Sequence, residues 1–412
     1  GRGAVVAVKP RNDAVSVARL FAVPRTGGAA LVVNARLSES EIDAQLARAG
    51  AVAAFGGLGG LTDPGMSDRP DPFIDLDPAA THSVLFTSGS SGRPRGVRLT
   101  WRNLEASAAA CASVLEHDAN DRWYAALPIH HVGGLSILVR SARQRSAVFL
   151  EPTFDPFRAA ALLVDGSATL GSVVASMLRA ILDAEPGPYR GVKALLVGGG
   201  ATPPDLLIEA IEAGLPVLPT YGMTETASQI ATRPLSDSLH PGSTAVAVPG
   251  AELRIGSGSV IEVRGSMVSP GYLGEPDRGD EWFRTSDIGS IVDGRLTVLG
   301  RADDVIISGG ENIHPVEIER VLAEVDGVHE VVVVGVPDTK WGEAVVAVVE
   351  GDVAPGALER HARYHLAGYK IPKQWVIVGS MPRLGIGKPD RAAIRALAAA
   401  RRPVNPQDRP SP

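Results

Sequence analysis

The sequence predicts an α/β protein in two parts. The first, residues 1–301, is a large domain of several subdomains with parallel-type sheets and a small β-rich subdomain. The second, residues 302–412, is a small, mobile α+β domain. Three observations predict this. Short apolar runs alternate with amphipathic stretches up to about residue 240, the βα signature of parallel strands. Strand and turn patterns without a long helix follow. From about residue 302 helical periodicity returns and is followed by two Val-rich runs.

Taken in order, AVVAVKP reads as a strand, SVARLFAVPR as an amphipathic helix and AALVVN as a buried strand. Ser38 and Ser40 precede EIDAQLARAG, a helix opened by a capping serine and closed by glycine. Residues 61–80 are rich in Pro and Asp and read as a loop. HSVLFTSGSSG is a strand running into a Gly-Ser turn, and WRNLEASAAACASVL is a helix. KALLVGGG and LPVLPTYG are short strands between helices. VPGAELRIGSGSVIEVRGS and SIVDGRLTVLGR make the β-rich part. In HPVEIERVLAEV, Pro315 takes a first-turn position and Ile318, Val321, Leu322 and Val325 share a face. EVVVVGVP and EAVVAVVEG read as strands.

At 412 residues the chain can bury a core without disulfides or a structural metal. Lys and Arg number 40 against 46 Asp and Glu, a net charge of -6, which argues against bulk nucleic-acid binding. With 45% hydrophobic and 21% charged residues the composition is globular rather than disordered. The single cysteine, Cys111, excludes an intramolecular disulfide and a multi-cysteine metal site, and its Ala-rich setting makes it a small buried apolar residue. No apolar run is long enough for a membrane span, and GRGAVVAVKPR lacks a signal-peptide pattern and an initiator Met. A cytoplasmic enzyme is the expectation.

The first chemical signal is Thr87-Ser88-Gly89-Ser90-Ser91-Gly92-Arg93-Pro94-Arg95-Gly96. Its glycines let successive N–H groups face an anion, its hydroxyls add donors and its arginines add charge. That composition suits a phosphate cradle, although neither the Walker pattern nor GxGxxG is present. Taken alone, the same segment also reads as a flexible surface loop.

TSGSSGRPRGV resembles the nucleotide loop of the adenylate-forming superfamily, which contains acyl-CoA synthetases, adenylation domains and luciferases. Most members carry lysine at the second basic position. Arg95 stands there, keeping the charge and offering a fork for phosphate oxygens. Further motifs resemble the superfamily in the right order across nearly the whole chain, including the early stretch GGAALVVNARLSESEIDAQL. The turn Gly198-Gly199-Gly200-Ala201 is similar to its adenine-side turn. PTYGMTET is similar to its YGxTE motif. The resemblance implies that Tyr221 and Gly222 lie against adenine, that Thr224 bonds the α-phosphate and that Glu225 holds Mg2+, for which an oxygen ligand is apt. A lone Thr-Glu pair is ordinarily only a helix cap; the neighbouring motifs give it another meaning.

WFRTSD resembles the ribose motif, so that Asp287 accepts from the ribose hydroxyls, with Arg301 of GRADD reaching ribose or phosphates. Asp303 matches the hinge position between the two domains. Gly309, Gly310 and Glu311 match the loop that faces the thiol channel. LGIGKPDR resembles the final motif, in which the Lys388 ammonium bridges the attacking carboxylate and the α-phosphate. The implied activity is two-step and AMP-forming, with ATP and CoA as co-substrates and Mg2+ as cofactor.

For the acid, LPIHHVGGLS borders the acyl pocket by analogy, and YGMTETASQ is most similar to the branch that activates o-succinylbenzoate in menaquinone biosynthesis. A dicarboxylate needs a cation for its unreacting carboxylate. Arg140 is the candidate, with His131, Ser228 and Gln229 bordering the pocket. Another acyl- or aryl-CoA ligase, a carrier-loading enzyme and a non-catalytic nucleotide-binding protein remain open. No nucleic-acid or membrane partner is expected, and a homodimer is left open.

Overall fold

A computed structural model describes residues 3–56, 58–64, 76–87, 94–235, 237, 245–384 and 388–401. The amino-terminal sheet orders its strands Gly271–Tyr272, Arg95–Thr100, Thr81–Thr87, Ala29–Val32, Val5–Val8 and Ala51–Ala54. Thr81–Thr87, Ala29–Val32, Val5–Val8 and Ala51–Ala54 run parallel, as the βα alternation predicts, whereas Arg95–Thr100 is antiparallel to both its neighbours. The helix Glu39–Ala49 starts on a full capping box, in which the Ser38 hydroxyl accepts from the Glu41 N–H and the Glu41 carboxylate accepts from the Ser38 N–H. It ends on Gly50 at φ 60°, a left-handed conformation that glycine adopts without Cβ strain.

The second sheet has eleven strands and takes in the β-rich segment. The β-rich segment is no separate sheet. Strand Val217–Met223 pairs parallel with Ala194–Val197 through its first residues and antiparallel with Ser228–Thr232 through its last. It therefore belongs to a parallel half (Arg122–Ala125, Ala147–Leu150, Leu170–Val173, Ala194–Val197) and to an antiparallel half running from Ser228–Thr232 to Ala251–Ile255. Turn residues mark each strand end but carry no sign of which strands pair, so the join is invisible in the sequence. Helices cover the parallel half with Leu163, Leu178, Ile181 and Leu206, all buried. Cys111 is fully buried beside Trp123 and Leu196.

The third sheet orders Glu311–Ile313, Ile306–Ser308, Gly342–Gly351 and Val328–Asp338, with Gln374–Val378 parallel to Gly342–Gly351 on its other side. Val331 and Val333 pack under helices Pro315–Leu322 and Pro355–His365, whereas Val332, Val334 and Val336 face helix Arg391–Ala400. Burial on both faces explains the unbroken valine run. The helix at Pro315 closes after Leu322, so Val325 packs from the following turn.

Candidate active site

The residues singled out in the sequence converge where the shared strand Val217–Met223 ends. Tyr221 lies near that end, and its hydroxyl donates to Asp287 Oδ2 at 2.8 Å. Asp287 sits opposite Arg301 in the antiparallel ladder. Arg301 Nε lies 3.6 Å from the Asp287 carboxylate and 3.1 Å from that of Asp303. Burial raises the Asp287 carboxyl above its ordinary range; the Tyr221 hydrogen bond and the Arg301 charge oppose this. Burial, reinforced by Asp287, also drives the Tyr221 phenol upward, so it stays a donor.

Past Tyr221 the chain turns through the short helix Thr224–Thr226, and then Ala227 and Ser228 take φ of 50° and 114°. Positive φ in two successive non-glycine residues is strained, and such strain is characteristic of functional sites. It lets Thr226 close the turn, accepting from the Met223 N–H at 3.0 Å and donating to the Ser228 carbonyl at 2.6 Å. Only glycine fits at position 222, because a Cβ would lie 2.0 Å from the Ser228 carbonyl oxygen. That neighbour is backbone and cannot step aside. Gly222→Ala is therefore expected to cost about 1–3 kcal/mol, read as a lower urea midpoint. Gly200→Ala, where a Cβ meets nothing within 4 Å, should stay within about 0.5 kcal/mol. Equal midpoints for the two variants would refute the steric reading.

Glu225 has a partner that the sequence did not signal. The Tyr272 hydroxyl donates to its Oε1 at 2.8 Å. The Arg95 guanidinium lies 3.4 Å from the centre of the Tyr272 ring and pairs with Glu275 at 2.7 Å. Arg95 thus stacks as well as pairs, which its planar fork allows and a lysine ammonium would not. Thr87 and Arg95 face each other across an antiparallel pair and frame the phosphate-loop candidate. Ser88, Gly89, Ser90, Ser91 and Gly92 lie outside the described residues.

Lys388 reaches this cleft from the carboxyl-terminal part of the chain. A Cβ on Gly199 would sit 3.1 Å from Lys388 Cε and 3.7 Å from Nζ, so the bare turn at Gly199 (φ 83°) gives the lysine room. Gly200 and Ala201, beside it, are exposed. Burial lowers the Lys388 amine; Asp287 opposes this and Arg301 adds to it. Lysine, nucleotide-side turn, Tyr221 and Asp287 are thereby placed together.

His131, the acyl-pocket candidate, precedes helix Val132–Gln144, and its ring centre lies 4.4 Å from that of His130. Burial, then the charges of Lys388 and Arg36, pulls His131 down to about 4, so it is neutral at pH 7. Arg140 does not line an open surface: it is 1% exposed. Its Nη2 donates to Ser228 Oγ at 3.0 Å and to Gln229 Oε1 at 3.2 Å. The three candidates meet, with Arg140 behind the other two.

Gly309 and Gly310, at φ 61° and 86°, form a two-residue hairpin turn between paired Ser308 and Glu311. The Gly309 N–H donates to the Trp341 carbonyl at 2.8 Å. Asp303 lies in the short helical turn Ala302–Asp304. Among the described residues, no helix is long and apolar enough to cross a membrane.

Comparison with known proteins agrees with this geometry. Residues 59–273 match the AMP-binding enzyme family, and residues 317–388 match the AMP-binding enzyme C-terminal domain. The chain is 39% identical to 2-succinylbenzoate–CoA ligase of Listeria monocytogenes serotype 4b (strain F2365), over 95% of this chain and 88% of that protein. Among solved structures it resembles o-succinylbenzoate CoA synthetase (MenE) of Bacillus subtilis in complex with the acyl-adenylate intermediate OSB-AMP. The TM-score is 0.84 at 30% identity, over 96% of this chain and 88% of that one. MenE has also been solved with ATP and magnesium ion. ATP-bound MatB of Rhodopseudomonas palustris superposes with a TM-score of 0.89 at 26% identity, over 97% and 89% of the two chains. Against apo MatB the score is 0.77.

Proposed function

The chain belongs to the AMP-binding enzyme family, and from that premise we propose that it is an ATP-dependent, AMP-forming acid–CoA ligase whose acid is o-succinylbenzoate. The carrying observation is Lys388 lodged against the Gly199 turn beside Tyr221 and Asp287, with the acyl-side residues adjoining. The choice of acid is supported by near full-length likeness to ligases named for it.

In the first half-reaction an acid carboxylate oxygen attacks the α-phosphorus of ATP. The bond to pyrophosphate breaks, and a mixed anhydride with AMP forms. Asp287, oriented by Tyr221 and Arg301, accepts from the ribose hydroxyls, and the Gly199–Ala201 turn receives the adenine side together with Tyr221 and Gly222. Thr224 donates to the α-phosphate. The loop framed by Thr87 and Arg95 cradles the departing phosphates. Lys388 places its ammonium where negative charge grows on the pentavalent phosphorus, so positioning and electrostatics carry the step.

Glu225 offers only oxygen, and Tyr272 fixes one of its two oxygens, which fits a hard cation. Magnesium, when bound, neutralises the phosphates there. In the second half-reaction the thiolate of CoA attacks the acyl carbon and AMP leaves. We assign residues 302–412 to a small domain that turns about Asp303, withdrawing Lys388 and presenting Gly309, Gly310 and Glu311 to the thiol. Neutral His131 borders the acyl group. Ser228 and Gln229 meet the second carboxylate, polarised from behind by Arg140. The reaction needs no membrane or nucleic acid, and a cytoplasmic location suits it.

Pyrophosphate release measured across a panel of acids, with and without CoA, tests the proposal. Release with o-succinylbenzoate, and thioester only when CoA is added, is the expected result. ADP formation would reject the ligase reading. Turnover of another aryl or acyl acid with o-succinylbenzoate inert would reject the substrate.

A further inference from the structure

The small domain carries a second cluster of ligand-bearing side chains that the ligase chemistry does not use. His361 and His365 are four residues apart on helix Pro355–His365, so their imidazoles project from one face, ring centres 4.4 Å apart. Glu324, just past the end of helix Pro315–Leu322, brings its Oε2 to 3.4 Å from His361 Nε2. One ligand atom from each of the three residues can be chosen so that all lie within 4.8 Å of one another. His361 Nε2 is shut off from solvent yet makes no hydrogen bond among the described residues.

We propose that Glu324, His361 and His365 form a binding site for a transition-metal ion of the zinc type, separate from the nucleotide site. Bonds of about 2.0–2.1 Å at tetrahedral angles put ligand atoms roughly 3.4 Å apart. The Glu324–His361 pair already has that spacing, and a rotamer adjustment of exposed His365 closes the rest. Two imidazoles and one carboxylate suit a borderline ion, leaving a fourth position for water. Magnesium, which favours all-oxygen surroundings and keeps its waters, is a poor competitor. Nearby Arg363 is already neutralised by Glu359 at 2.6 Å. A bound ion joins the end of one helix to the neighbouring helix across the sheet face they both cover.

The test is zinc uptake by the full chain, free of nucleotide, in competition with a chromophoric chelator. One zinc ion per chain is expected, with a rise in melting temperature. His361→Gln, His365→Gln and Glu324→Gln should each weaken uptake by at least about 10-fold. Far-UV circular dichroism verifies that each variant is folded, and exposed His365 can be changed without touching the core. Unchanged uptake in His365→Gln or Glu324→Gln overturns the three-ligand site, as does loss of uptake in a His130→Gln/His131→Gln double variant.

Discussion

Replacing Lys388 with alanine is expected to slow adenylate formation by about 10²–10³-fold, the usual loss when one preorganised donor to developing charge is removed. Lys388 crosses onto the Gly199 turn, and its side chain makes no hydrogen bond among the described residues, so stability should be nearly unchanged. Thioester formation from supplied acyl-adenylate should persist, because that step is assigned to the Gly309–Glu311 side of the small domain. Pyrophosphate exchange checks the first half-reaction and CoA consumption the second. Exchange at the parent rate would remove Lys388 from the chemistry.

The same side chain predicts a pH dependence. Lysine acts here as a cation, and burial lowers its pKa. The parent kcat/KM for adenylation should therefore fall as pH rises, beginning below the ordinary lysine range, and Lys388→Ala should lack that limb.

The second large effect concerns Arg140. A buried guanidinium with neutral oxygen partners is costly to keep unless its charge serves something. Arg140→Met preserves the stem's packing while removing the charge, so the melting temperature should change little. The KM for o-succinylbenzoate should rise about 10–100-fold, because the charge that strengthens the Ser228 and Gln229 hydrogen bonds to the carboxylate is lost, with the KM for ATP nearly constant. The preference for o-succinylbenzoate over a benzoate lacking the second carboxylate should shrink in the variant. Arg140→Lys should recover part of the affinity. Parallel rises for acid and ATP would mean that Arg140 merely supports the strand carrying Ser228.

Much of this was legible in the residues. The Ser38–Glu41 capping box and Gly50 follow from local chemistry, and ordered motifs named the family before any contact was known. What escaped detection depends on distant partners. Tyr272 orients Glu225 from 47 residues away in sequence, and nothing in GYLGEP announces it. Arg140 reads as one of three arginines in RSARQR, and only tertiary packing shows it sealed behind Ser228 and Gln229. His361 and His365 stand at a metal-chelating interval, yet their third ligand lies on another helix's end. The β-rich stretch looked separable because pairing partners leave no trace in composition.

Strand Val217–Met223 ties both halves of the eleven-stranded sheet into one body. Tyr221, Gly222 and the turn after them are built on that tie, so sliding one half against the other would pull the proposed adenine seat apart. The domain turn proposed for the second half-reaction is then expected around Ala302–Asp304 rather than within the sheet. In the proposed two-step cycle the enzyme would work as a fixed anvil with a single swinging hammer, and Arg301, paired with Asp287 on the sheet and with Asp303 beyond it, is placed to latch the two.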